Sequence, residues 1–292
     1  MPEEFLPCTL HKISDHVWWF TPESRTDRPS LCAVVGEKGV VWLDIGASPA
    51  HTHQFLGELS QQGIDSPDYA VLSHWHWDHV FGIDAIDCPV IAQEETAKNI
   101  KRMMQLDYGD DNLPNLIKQG HEVEFTREHM VIELNNVQRQ NLVLREPDIT
   151  FSQSMTINLG DVSCDIQHVG GDHASDSTVI HIPEDGVLFL SDCFYYTVYQ
   201  LPQHYTEAKI LPLIDKLESF DATQYIMGHA NMIFAKEDMQ QEFNLLRSSY
   251  RLLAEHGQDN LEAIKAELYR NFDSEEVDET LESVVAGLQL VN

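Results

Sequence analysis

The sequence predicts an α+β sandwich: two mixed β-sheets packed together, flanked by helices. Three observations predict it. Short apolar runs separated by turn residues fill positions 8–45, and similar runs return from Ile149 to Leu190. Helical patterns follow each of these β-rich halves. The 292 residues are 42% hydrophobic and 9% aromatic. That supplies a sizeable core and excludes a globally disordered chain.

His16 to Phe20 reads as a strand. Leu31 to Val35 and Val40 to Ile45, joined through Gly36-Glu37-Lys38-Gly39, read as a hairpin. Ser48 can cap a helix running to about Gln62, with Pro49 in its first turn and Gly63 at its stop. Tyr69 to Ser73 is a short apolar strand that delivers the chain into His74-Trp75-His76-Trp77-Asp78-His79 and a helical stretch. Residues 93–145 differ in character. Glu94 to Leu106 is helical, Gly109 to Asn112 is a break, and the rest is polar and mixed. A connection this long is expected to be an insertion or lid. Strands return over Ile149 to Val169, Ser177 to Ile182 and Val187 to Leu190. A helix over about 206–220 precedes a last strand, Gln224 to Met227. Beyond Ala235 the chain reads as helical, with a break near 257–260. We expect one site-bearing domain over 1–235 and a helical extension over 236–292 packed on it.

Eighteen Lys and Arg against 48 Asp and Glu give a formal charge of −30. So acidic a surface repels phosphate backbones and anionic lipid, so neither nucleic acid nor a membrane is an expected partner. The expected partner is a small-molecule substrate, and a homo-oligomer stays open. Five cysteines, odd in number and scattered without a CxxC pair, read as free thiols in a reducing compartment. The opening MPEEFLPCTLHK has neither a basic nor an apolar leader segment, so no signal peptide is expected. No window approaches the roughly 18 apolar residues of a membrane span. The expected location is the cytoplasm.

The informative segment is His74-x-His76-x-Asp78-His79. Residues two apart in extended chain project to one side, so His74 and His76 can close on one ion. As the chain turns into a helix, Asp78 and His79 can swing toward a second ion beside it. Random composition would place this pattern about 0.003 times in such a chain, which leaves an ordinary polar loop as a poor explanation. Imidazole and carboxylate suit zinc first, with iron or manganese as alternatives. His173, Asp192 and His229 each follow an expected strand and could complete the site.

These residues resemble the metallo-β-lactamase superfamily. Positions 74–79 match its HxHxDH signature in full, and Val41-Trp42-Leu43-Asp44-Ile45-Gly46 is similar to the segment before its first helix. The resemblance covers roughly residues 10–235. It implies a four-layer αβ/βα sandwich with a binuclear site at one edge of the sheets. By that resemblance His74, His76 and His173 would hold one metal, Asp78, His79 and His229 the second, and Asp192 would bridge them. Gly171-Asp172-His173 stands where the superfamily usually reads Pro-Gly-His. Many zinc β-lactamases carry a cysteine at the position of Asp192, which turns the reading away from antibiotic resistance. Cys193 is expected to be a structural thiol.

His168 is an alternative to His173. His51 and His53 share i, i+2 spacing but sit at a helix start, where such residues do not share a face. Surface roles are expected for these and for His11, His121, His129, His204 and His256, and a strand position for His181. Asp44 is expected to orient a metal histidine rather than bind metal. Tyr195 and Tyr196 follow Asp192 closely enough to reach a substrate oxygen. The expected enzyme is a binuclear metal-dependent hydrolase in which Asp78 helps to orient a metal-bound hydroxide attacking an ester, lactone or thioester carbonyl. An iron enzyme handling oxygen or sulfur, or a metal-binding protein without turnover, are the alternatives.

Overall fold

A break in sheet membership after Phe151 divides the fold. The computed structural model describes residues 7–291; residues 1–6, on which the expectation of no signal peptide rests, lie outside them. The first sheet is laid down in chain order: β1 (Leu10–Lys12), β2 (Val17–Phe20), β3 (Leu31–Gly36), β4 (Gly39–Leu43), β5 (Tyr69–Val71), β6 (Val90–Gln93) and β7 (Ile149–Phe151). Pairing is antiparallel from β1 to β4 and parallel from β4 to β7. The second sheet follows as β8 (Ser154–Asn158), β9 (Ser163–His168), β10 (Thr178–Ile182), β11 (Val187–Ser191), β12 (Gln224–Met227) and β13 (Ile233–Ala235). Its β11 and β12 run parallel, because a helix carries the chain back between them.

Alternation along the strands builds three apolar layers. Val41 and Leu43 face inward onto Ile180, Phe189 and Ile226 of the other sheet. Trp42, between them in sequence, faces outward onto Phe55 and Leu59. Those residues belong to α1 (Pro49–Gln61), whose Ser48 cap accepts the His51 N–H at 3.1 Å as the sequence predicts. On the far side, Leu188, Leu190 and Tyr225 face α7 (Glu207–Glu218), α8 (Lys236–His256), α9 (Leu261–Leu268) and α10 (Ser274–Val291). Each fully buried Leu, Ile or Phe in these layers is worth about 1.5–3 kcal/mol. The result is helix on sheet on sheet on helix, as expected. No helix among the described residues is long and apolar enough to cross a membrane.

Several local expectations are corrected. β6 was not expected; its apolar run of Val90, Ile91 and Ala92 is too short to stand out beside the longer strands. β7 closes the first sheet, paired parallel to β6, instead of opening the second. The segment between them is the crossover that this parallel pairing requires. It holds α3 (Glu94–Met103), α4 (Leu113–Lys118), α5 (Glu124–Glu133) and α6 (Asn136–Gln140). Leu113, Leu116, Met130 and Leu134 pack there with Trp77 and Phe81 of the motif region. His51 and His204 are buried, not on the surface. The His51 ring is 5.7 Å from that of Phe20, because the first turn of α1 points into the core. His204 lies 2.7 Å from the Pro202 carbonyl and bonds Thr197. His53 is exposed, His181 lies in β10, and all five cysteines are free and buried.

The crossover is anchored at its inner end by a buried ion pair. Arg28 donates from Nε and Nη2, both at 2.9 Å, to the Glu133 carboxylate, whose side chain is 1% exposed. The Ser48 hydroxyl donates to the same carboxylate, and Arg28 Nη1 reaches Gln54 at 3.0 Å. Removing one partner strands the other's charge in the interior. Arg28→Ala is therefore expected to cost about 3–5 kcal/mol of stability, read as a fall in the urea midpoint.

Candidate metal centre

The strands end where chemistry-bearing residues begin. β5 leaves the centre of the first sheet at Val71, and Leu72-Ser73 carries the chain to His74 and His76. The short α2 (Trp77–Val80) then turns Asp78 and His79 back over the same edge. From the second sheet, the loop between β9 and β10 brings His173, the end of β11 brings Asp192, and the end of β12 brings His229. All seven expected metal residues converge. Donor atoms of His74, His76, His173 and Asp192 lie within 4.8 Å of one another, and so do those of Asp78, His79, Asp192 and His229. Asp192 is common to both groups. His168, the alternative to His173, bonds the Ser175 carbonyl at 2.9 Å and is in neither group.

Carboxylate oxygens face ring nitrogens across the cluster. Asp192 Oδ2 is 3.2 Å from His173 Nε2, 3.3 Å from both His79 and His229 Nε2, and 3.8 Å from His74 Nε2. Asp78 Oδ2 is 3.0 Å from His79 Nε2 and 3.2 Å from His229 Nε2. Partners on the far side of the rings fix which nitrogen looks inward. His79 Nδ1 is 2.8 Å from Asp44, His173 Nδ1 is 3.1 Å from the Tyr196 carbonyl, and His229 Nδ1 is 3.4 Å from Asp27. With each Nδ1 engaged in this way, Nε2 is the nitrogen that faces the cluster. Asp44 thus orients His79, as expected.

Burial and charge oppose each other here. Burial holds the His74 and His76 rings well below the ordinary imidazole range, so both are neutral. Burial acts the same way on His79 and His229, but the carboxylates around them outweigh it and push both well up, so an ion arriving there would displace a proton from each Nε2. For Asp192, burial favours the acid, yet His229 and His79 hold the group well below the carboxylate range. The donor set fits a metal pair. His74 Nε2, His173 Nε2 and Asp192 Oδ1 are buried with no hydrogen-bond partner. Such atoms cost about 1–3 kcal/mol each if left unsatisfied, and a cation among them removes that cost.

Several supporting residues were not expected from the sequence. Asp27 lies behind His229, and burial pushes its carboxyl up to about 6. Asp176, fully buried, accepts the Thr96 hydroxyl at 2.7 Å, tying the second sheet's loop to α3. Gly228 lies so close to Asp192 that a Cβ there would overlap Oδ1. Nothing in a single sequence marks these, since Asp and Gly near turns are ordinary. Asp172, beside His173, turns away and accepts the Thr206 N–H and hydroxyl at 2.8 and 2.7 Å, capping α7. Cys193 is buried in the apolar layer under α7 and α8, with its thiol pushed up by burial and by Asp192.

A cavity of about 210 Å³ opens onto both groups. Trp77, Phe125, Tyr195, Tyr196, Val198 and Tyr199 form its apolar wall. The profile of the metallo-beta-lactamase superfamily matches residues 25–229. The chain belongs to the metallo-β-lactamase superfamily. Members of that superfamily are mostly metal-dependent hydrolases and typically bind two metal ions. Among solved structures, a metallo-β-lactamase from Pontibacter korlensis aligns at 18% identity and TM-score 0.57, covering 82% of this chain and 99% of that one. A stereoselective inverting sec-alkylsulfatase from Pseudomonas sp. aligns at 15% identity and TM-score 0.62, over 84% of this chain and 42% of its own. The DIM-1 metallo-β-lactamase exposed to ceftazidime aligns at 17% identity and TM-score 0.54, over 83% and 97%. These likenesses show the superfamily fold. Among curated proteins no match is significant.

The close approach of Gly228 gives a test of the cluster that spares its ligating side chains. Gly228→Ala is expected to displace Asp192 and weaken retention of divalent metal by about ten- to a hundredfold. Elemental analysis after dialysis reads the loss, and an unchanged circular dichroism spectrum shows that the fold survives.

Proposed function

We propose that the chain is a binuclear metal-dependent hydrolase acting on the carbonyl of a small neutral ester, a lactone first and a thioester next. His74, His76 and His173 would hold one ion, Asp78, His79 and His229 the other, and Asp192 both. When bound, a pair of divalent ions, zinc before iron or manganese, activates water and offsets the negative charge that builds on the attacked oxygen. Asp78 lines the cavity and stays ionised, because His79 and His229 outweigh its burial, so it orients a water and does not store a proton. Tyr195 keeps its phenol proton, since burial and then Asp192 push its proton affinity up. It can therefore donate to a substrate oxygen. Tyr196 contributes its backbone carbonyl to His173 and its ring to the cavity wall.

The observation that carries the carbonyl reading is the lining. Among the described residues no Lys or Arg faces the cavity, while the carboxylates of Asp27, Asp78 and Asp192 do. With Asp78 and Asp192 engaged by metal in this reading, an anionic phosphodiester or sulfate ester would find Asp27 and, beyond the ions, no Lys or Arg to hold it. Of the thioesters, an acidic one is disfavoured too: Arg247 is engaged by Glu218 and Asp215, and Arg251 pairs with Glu255, so neither stands ready to bind a substrate carboxylate.

Elemental analysis of metal-replete protein is expected to give two transition-metal ions per chain. A single ion with full activity would overturn the binuclear reading. Asp192→Ala is expected to lose metal and cut turnover by orders of magnitude, whereas Cys193→Ala does little. A substrate panel on one metal-loaded preparation tests the chemistry. Catalytic efficiency should rank lactones and esters above phosphodiesters and sulfate esters. A reversal of tenfold or more, about 1.4 kcal/mol, sinks the carbonyl reading.

A further inference from the structure

Glu122 is an isolated carboxyl group near the cavity. It lies between α4 and α5 at 1% exposure, with no Lys, Arg or His within ion-pair distance among the described residues. Its Oε2 accepts the Thr126 hydroxyl at 2.8 Å and the Tyr199 hydroxyl at 3.0 Å. Thr126 and Tyr199 both line the cavity, one from the crossover and the other from the loop that follows Asp192. The Tyr199 ring lies 4.7 Å from that of His76 and 4.8 Å from that of Trp75, and Arg102 sits 4.9 Å above the Trp75 indole. A leucine or glutamine could fill this position without the cost of burying an acid. An ionisable group kept there calls for a use.

We infer that Glu122 and Tyr199 are positioning residues of this site, their hydrogen bond clasping the 93–145 crossover to the 192–205 loop and setting the cavity's width for substrate. This rests on the hydrolase reading and names the device that selects its substrate. The clasp joins two chain segments that share no backbone pairing, and each contributes apolar wall on its own side: Phe125 from one, Val198 from the other. Opening the bond swings the wall apart and lets water reach the carboxyl. Closing it presses Tyr199 against His76 and shapes the pocket around a small apolar substrate.

The clasp also carries a pH dependence. Burial pushes the Glu122 acid up to about 7, opposed by hydrogen bonds from Thr126 and Tyr199 and by the charge of Arg102 from α3, and aided by Asp78 from α2. Tyr108, after α3, faces the same carboxyl as a neutral phenol. In an open state the group returns to its ordinary value, 4.5. Below that value both states are protonated and closure is at its tightest. Between there and about 7 the open state loses its proton first, so closure weakens as pH rises. Above about 7 both states are ionised and the dependence levels off.

The experiment pairs kinetics with hydrogen exchange on the metal-loaded protein. For a neutral lactone or aryl ester, the wild-type KM is expected to rise as pH goes from about 5 to 7.5. Glu122→Gln, which keeps the acceptor and removes the titration, is expected to abolish that rise with metal content unchanged. Tyr199→Phe is expected to raise KM about five- to tenfold at low pH, the loss of one hydrogen bond. Amides of residues 119–133, corrected for intrinsic rates, are expected to exchange faster at high pH in wild type but not in Glu122→Gln. Exchange needs no turnover, so a panel without activity would sink the hydrolase reading while the clasp stands or falls on the exchange data. A Glu122→Gln protein that keeps the wild-type pH dependence in both KM and exchange overturns the clasp.

Discussion

The Asp44 carboxylate joins the two sheets where the donor cluster forms. It is fully buried, and it collects the Ser73 N–H at 2.7 Å, the Ser73 hydroxyl at 2.8 Å, the Ser191 hydroxyl at 3.0 Å and His79 Nδ1 at 2.8 Å. Those four donors come from the ends of β4's neighbour β5, of β11 and of α2. A buried carboxylate with this many donors is held in place, and each donor is held in return. With the Ser73 hydroxyl given to Asp44, His74 Nδ1 at 2.9 Å must donate to Ser73 Oγ, which turns the His74 Nε2 lone pair inward. One acid therefore sets which ring nitrogen of two histidines faces the cluster.

Holding the acid there strains the chain. Asp27, Asp44 and Ser191 adopt left-handed backbone conformations, with φ of 55°, 62° and 48°. Non-glycine residues in that region cost on the order of 1–3 kcal/mol when a side chain must be forced into it. Asp44 and Ser191 belong to the same hydrogen-bond network, and Asp27 backs His229. The strain is concentrated at the cluster and opposed by its own hydrogen bonds. Side chains fixed this way need little reorganisation to receive a ligand.

The cluster was legible because its chemistry is dense in sequence. Four ligating residues within positions 74–79 have no ready structural use, and His173, Asp192 and His229 each follow an expected strand. Ser48-Pro49 was legible for a similar reason, since a cap and a first-turn proline act locally. What stayed hidden depends on distant partners. His51 sits in a helical first turn, and only the packing of Phe20 against it makes that turn an inside one. Glu122 lies in a polar stretch that gives no sign that the fold closes over it. Gly228 looks like any turn glycine until Asp192 is placed beside it. The strands β6 and β7 pair only because the intervening helices return the chain, which no periodicity reports.

The division after Phe151 also orders events in time. Among the described residues, seven strands are complete when synthesis reaches that residue, and six more are added afterward. Until then Val34, Leu43 and Val71 form an apolar face without the Ile180, Phe189 and Ile226 that cover it in the finished fold. His74, His76, Asp78 and His79 belong to this early half, whereas His173, Asp192 and His229 arrive late. A nascent chain halted before Asp192 lacks the carboxylate common to both donor groups. The donor set is therefore complete only once the halves dock, and its completion distinguishes a finished molecule from one still exposing its interior.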